Sequence, residues 1–163
     1  MKKNQTGLTL VEVIIYITIV SMILTVAVFF AWDVIGGQTK SYVITEVNQN
    51  SRFILNSIAK DMRQAVSINS VTEDSLSVDL IDGSTITYMF NNELYTLSRQ
   101  LNTDDPIILH SDVIVATGVW QDLSTSQSSS VSLDLTVAYN STSNHTDWQS
   151  SLSTSISFNL NLE

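Results

Sequence analysis

Cysteine is absent from this 163-residue chain, which excludes disulfides, thiol nucleophiles and cysteine-based zinc sites together. It does not fix the compartment, because many exported bacterial proteins also lack disulfides. Proline occurs once, at Pro106, and glycine five times. Basic residues are scarce where acids are plentiful: from Ser67 onward twelve acids face only Arg99, a net of −11 by that count (1 − 12). Such a surface repels phosphate backbones, since lysine and arginine supply most nucleic-acid affinity. Direct nucleic-acid binding is therefore not expected of the distal part.

What the chain has instead is one long apolar run. Val13 to Trp32 carries no charge, and as a helix about 20 residues span roughly 30 Å, the thickness of a bilayer core. Lys2 and Lys3 precede it and the next base is Lys40. The positive-inside tendency keeps the amino terminus cytoplasmic and exports the chain beyond Trp32. Hydropathy alone favours an ordinary signal anchor. A cleaved secretory signal, with Thr25-Val26-Ala27 as its small-residue site, fits less well because the run continues past Ala27. Neither reading explains Glu12, a lone carboxylate near the start of the run, where an ionised group is costly without a partner.

The stretch KKNQTG|LTLVEVIIYITIV resembles the class III leader of type IV prepilins and type II secretion pseudopilins. The resemblance implies that residues 1–7 are a leader cut after Gly7 by a prepilin peptidase. Leu8 then becomes the N-methylated first residue, and Glu12 falls on the family's fifth-residue glutamate. Leu8 stands where phenylalanine is commoner. The chemistry agrees: cutting after Gly7 creates an α-amine of pKa near ~7.7–8, one helical turn from Glu12. Glu12 is placed to pair with its own Leu8 amine or with that of a neighbouring subunit; the resemblance implies the neighbour, in an assembly salt bridge. Tyr16, Thr18, Ser21 and Thr25 add hydroxyls to the run; they either bond back to their own helix or cement contacts between helices.

Beyond Trp32, Val43, Val47, Ile54, Ile58, Met62 and Ala65 recur at helical spacing, widened by Leu55 and Val66, with Lys40, Arg52, Lys60 and Arg63 mostly off the stripe. This pattern predicts an amphipathic helix over 33–66. Gly36-Gly37 interrupts it, each glycine costing roughly 1 kcal/mol against alanine. Many pilins carry a proline in the apolar segment; here the glycine pair is the candidate helix hinge, the other reading being a simple break or loop.

From Ser67 the pattern alternates. SLSVDLI, TITYMF and LYTLSRQ read as a hairpin meander, IILHSDVIVATGVW as a further strand or two, and VSLDLTVAY and LSTSISFNLNLE as the cleanest strands. One face is apolar and the other rich in serine and threonine, as in an antiparallel sheet covered on one side. The expected class is α+β: a long membrane-spanning then amphipathic helix packed on an antiparallel β-sheet head, with a leader at 1–7, a transmembrane and filament-core helix at 8–32, the amphipathic helix at 33–66 and the head at 67–163. Asp61-Met62-Arg63 followed by Tyr88, Leu97 and Arg99 resembles minor subunits of the pseudopilin J or PilW-type subgroup, and the acidic, serine-rich carboxyl end departs from it.

Catalytic and metal signatures are not evident. His110 and His145 lack a second ligand at metal spacing, and Asp74, Asp79 and Asp82 lack the EF-hand spacing. Some secretion pseudopilins hold calcium, which keeps Asp104 and Asp105 in view. Asn140-Ser-Thr and Asn144-His-Thr match the glycosylation triplet, a frequent coincidence in such a composition. Trp120 and Trp148 read as core or as partner contacts. The expectation is a non-enzymatic minor pilin or pseudopilin without cofactor. Its partners would be other pilin subunits, the prepilin peptidase/methyltransferase, the inner-membrane assembly platform and, before assembly, membrane lipid. It would pass from a single-pass membrane form to an extracytoplasmic or cell-surface filament. The alternative is a single-pass anchored extracytoplasmic binding or enzymatic domain.

Overall fold

A computed structural model describes residues 9–125, 128–140 and 150–160. Helix α1 runs Leu10–Met62, and the chain divides into two compact units, Met1–Ser41 and Tyr42–Glu163.

In the first unit the helix carries large apolar side chains on every side from Leu10 to Ile35, and all of them are exposed. Many are valine and isoleucine, which in water are indifferent helix formers. In hydrocarbon the helix is favoured because it satisfies every backbone group within one segment. An 18-residue window here has mean hydropathy 2.7 with none of it buried, so α1 is long and apolar enough to cross a membrane once.

In the second unit one face of α1 is covered. Val43, Val47, Ile54, Ile58 and Met62 are buried, while Arg52, Asn56, Lys60 and Arg63 are exposed. Ser51 is buried on the apolar side and donates its hydroxyl to the Val47 carbonyl at 2.7 Å. The helix stops at Met62 and not at residue 66. Gln64 N–H bonds the Asp61 carbonyl at 3.0 Å, and the Gln64 carbonyl takes Ile81 N–H at 3.0 Å. Ala65 then pairs with Leu80 and Val66 follows it at a register shift, so the last two residues of the apolar stripe begin a strand.

The strands form two antiparallel sheets where the alternation suggests one. The first is a meander of β1 (Ala65–Val71), β2 (Ser75–Leu80), β3 (Thr85–Asn91), β4 (Thr96–Leu101) and the two-residue β5 (Ile107–Ile108). The second comprises β6 (Ile114–Asp122), β7 (Ser129–Tyr139) and β8 (Ser151–Leu160). The separation has a visible cause at β6. Its Ala116 and Trp120 amides bond the carbonyls of Tyr95 and Glu73, at 2.8 and 3.0 Å, which lie in turns of the first sheet. The edge of β6 thus meets hairpin ends, not a strand ladder.

Alternation places Leu76, Val78, Leu80, Ile86, Tyr88 and Phe90 inward from the first sheet, and Val131, Leu133, Leu135 and Val137 from the second. They share one core with the helix residues Val47, Ile54, Ile58 and Met62. Burying such a side chain contributes roughly 1.5–3 kcal/mol against leaving it in water. Trp120 sits among them, its ring centroid 6.1 Å from Tyr88 and 6.2 Å from Phe90. Phe90 lies so close to Gly118 that a Cβ there would meet the ring and the Asp134 carbonyl, each at 2.6 Å. Leu162, expected on the last strand, falls outside the described residues.

Candidate functional site

The amino-terminal turn of α1 is built by a cap. Thr9 precedes the helix, and its Oγ1 accepts the Glu12 amide at 3.3 Å. Threonine followed three residues later by glutamate is the capping-box spacing, so the local sequence sets where the helix starts. Glu12 lies in the first turn, where a carboxylate offsets the helix dipole by about 0.3–1 kcal/mol. Its side chain is exposed; Tyr16, one turn on, directs its hydroxyl at Glu12 Oε1 across a long 3.5 Å. Around it Leu10, Val11, Val13, Ile14 and Ile15 are exposed hydrocarbon. The product is a single anionic group on an apolar rod, suited chemically to capture of one cation. Gly7 and Leu8 lie outside the described residues, so the pairing of Glu12 with the Leu8 amine is not described either.

Further along, Thr18 and Thr25 donate to the carbonyls of Ile14 and Ser21, each at 2.8 Å. These two hydroxyls are satisfied by their own helix. Gly36 and Gly37 sit inside α1 without a break in its helical assignment, so they form neither a loop nor a helix end. A Cβ on Gly37 would meet nothing within 4 Å; close packing within the chain does not explain a glycine there.

A second polar constellation fastens the carboxyl end of α1 to the first sheet. Asp61, buried between Ile58 and Met62 on the apolar stripe, accepts Arg99 Nε at 2.6 Å and the Tyr88 hydroxyl at 2.5 Å. This is the one ion pair among the described residues. Burial, and next the Asp61 carboxylate, push the Tyr88 phenol well above its usual range. Hydrogen bonding to Asp61 holds the Arg99 guanidinium charged even more firmly than usual. One turn-rich loop is tied down similarly: Glu46 Oε1 accepts the Ser111 hydroxyl at 2.9 Å, and Asn50 Oδ1 accepts the Ser111 amide at 3.0 Å.

The sequence singled out Asp61 and Tyr88 through resemblance, and Arg99 through resemblance and its isolation among acids, and did not bring them into contact. A signal existed: an acid inside an apolar stripe, and one base in a long acidic stretch, are each costly unless they meet. No three histidine or acidic side chains converge on a metal-sized space among the described residues. His110 Nε2 accepts the Leu97 amide at 3.3 Å, so Nδ1 carries the proton toward the Ser111 carbonyl at 3.0 Å. Asp74, Asp79 and Asp82 each close a separate local network, with Asn92, with Thr85 and Asn69, and with Ser84. The Asp104 carbonyl receives Gln100. Trp120 is core; His145, Asn144 and Trp148 lie outside the described residues.

With the capped turn, its carboxylate and the bare apolar helix in place, comparison adds one finding. Residues 2–28 match the family model for the prokaryotic N-terminal methylation motif. The chain's amino-terminal stretch is thus similar to that motif. The matched stretch includes Gly7, Leu8 and Glu12 and ends within α1, while the head lies outside it. No curated protein and no solved structure matches the chain.

Proposed function

We propose that this protein is a structural subunit, a minor pilin or pseudopilin, of a type IV pilus or a type II secretion-like pseudopilus. A prepilin peptidase cuts after Gly7 and Leu8 is N-methylated. The subunit rests in the membrane by residues 8–32 until an assembly platform extracts it into a filament of pilin-type chains. The observation that carries this reading is the methylation motif over residues 2–28, running into a helix whose large apolar side chains from Leu10 to Ile35 are all exposed and whose first turn carries Glu12. A rod of that kind is stable in lipid or in a bundle of like rods, and both environments are used in turn. Glu12 meets the α-amine of the adjoining subunit, and the loss of water around the pair strengthens it beyond its solution value. The head is a non-catalytic body that faces outward. Gly36-Gly37 is the hinge of the long helix.

The test is the mature terminus. Mass spectrometry of the chain from peptidase-positive cells is expected to show a first residue Leu8 carrying one added methyl group. An intact Met1 start would refute the reading and favour a plain membrane anchor. In the same cells Glu12→Leu and Glu12→Ala are expected to abolish incorporation into sheared filaments while Glu12→Asp retains part of it; equal incorporation of all three would remove the role given to the carboxylate.

A further inference from the structure

A groove of about 280 Å³ lies where the last turns of α1 meet β4 and β5, lined by Phe53, Lys60, Asp61, Arg99 and Ile107 among others. Three properties set it apart from the rest of the head. Its rim is hydrocarbon that solvent would normally exclude, with Phe53 57% and Ile107 65% exposed. Its charge is cationic on an acidic body: Lys60 is exposed, and Arg99 is the one base after Arg63. Arg99, though paired through Nε with Asp61 and in contact with Tyr88, keeps its side chain 26% exposed. Asp104 and Asp105 precede Ile107 in sequence but do not line the groove.

The complementary surface is on the same chain. The β1–β2 and β3–β4 turns lie side by side, joined by the Asn92 amide to Asp74 at 2.6 Å and the Phe90 amide to the Asp74 carbonyl at 2.8 Å. Together they present Glu73, Asp74 and Glu93, all exposed, around Leu94, which is 68% exposed. This tip has acids and two bulky exposed side chains, Leu94 and Tyr95, but no base; the groove has two bases, Lys60 and Arg99, against Asp61 alone, and an apolar rim.

We propose that the acidic tip of one copy docks in the cationic groove of a second copy, Leu94 against Phe53 and Ile107, and Glu93 against Lys60 and the exposed part of Arg99. The two patches differ, so the contact is heterologous, and a heterologous contact propagates unless its rotation closes a ring. It therefore adds a head-to-head link to a filament held by the apolar helices, and it rests on the assembly role proposed above with copies of this chain as neighbours. Charge complementarity fixes the register and disfavours tip-to-tip or groove-to-groove pairing.

Because the chain has no cysteine, single introduced cysteines report the contact without background. Full-length chains bearing Ile107→Cys and Leu94→Cys, with different tags, are co-expressed in the native host, and sheared filaments are oxidised. A disulfide between the two tags is expected in filaments and not between two Ile107→Cys copies. Lys60→Glu on the groove copy should lower its yield by about tenfold, and Glu93→Lys on the tip copy should restore it. A chain that is processed to Leu8 and incorporated, yet forms no such disulfide, overturns this inference and leaves the assembly role standing. Crosslinking of the groove only to other proteins overturns it equally. A chain that retains its leader overturns the assembly role itself.

Discussion

Replacing Asp61 by alanine is expected to destabilise the head by about 3 kcal/mol. Removing one partner of a buried ion pair costs about 3–5 kcal/mol because the other charge is left uncompensated. Arg99 is 26% exposed, so water recovers part of that penalty and the lower end applies. The Tyr88 hydroxyl, deep in the core, loses its acceptor as well, which alone costs about 1–3 kcal/mol when no water replaces it. The assay is urea unfolding of the full chain in mild detergent, followed by near-ultraviolet circular dichroism of the Tyr88–Trp120–Phe90 cluster. A control separates charge burial from packing: the triple change Asp61→Leu, Tyr88→Phe, Arg99→Met removes every polar member together and should cost less than Asp61→Ala alone. If Asp61→Ala costs under about 1 kcal/mol, or the triple variant is the weaker protein, the clamp is not what holds the end of α1 to the sheet.

Gly118→Ala should cost about 1–3 kcal/mol in the same assay, because its Cβ needs space held by the Phe90 ring and the Asp134 carbonyl; Phe90→Leu in the same chain should recover part of the loss. Gly37→Ala meets nothing within 4 Å and should stabilise α1 by about 1 kcal/mol, read as slower amide exchange around residue 37. If the pair is a hinge used in assembly, the same variant incorporates poorly into filaments, and normal incorporation argues against the hinge. Hydrogen bonds from Thr85, Asn69 and Ser67 hold the Asp79 carboxyl below the usual aspartate value. Its folded pKa being the lower one, its contribution is present above the unfolded aspartate pKa of about 3.9 and is lost as pH falls through the folded value. Carboxyl chemical shifts should place the Asp79 midpoint below that of an exposed reference aspartate, and Thr85→Val should raise it.

Patterns carried by neighbouring residues were legible in the sequence, and pairings between distant ones were not. The period-two alternation from Leu76 to Phe90 and from Val131 to Val137 identified which side chains face a core, and those residues are buried. Alternation says nothing of which strand bonds which, so the split into a five-stranded and a three-stranded sheet, decided by the Tyr95 and Glu73 carbonyls capping β6, was beyond it. The helix end was misplaced by four residues because Ala65 and Val66 suit either an apolar helical stripe or a strand, and sheet pairing won. Gly118 offered no turn signal at all; only the approach of Phe90 from another strand explains it.

The two acids placed in apolar surroundings differ in where their cation comes from. Asp61 and Glu12 obey the same rule, that a carboxylate set among hydrocarbon needs a cation. The chain supplies that cation to Asp61 itself, from Arg99, thirty-eight positions away along the sequence, at 2.6 Å. Such a group is internally satisfied, and its task is to hold a helix against a sheet. Among the described residues no cation reaches Glu12; only the Tyr16 hydroxyl approaches it, at 3.5 Å. On the assembly role proposed above, this carboxylate, capped into the first turn of an uncovered apolar helix, takes its counterpart from a cut α-amine, and the methylation motif matched over residues 2–28 supports that reading. On that same role, the asymmetry assigns contact with another chain to Glu12 and not to Asp61.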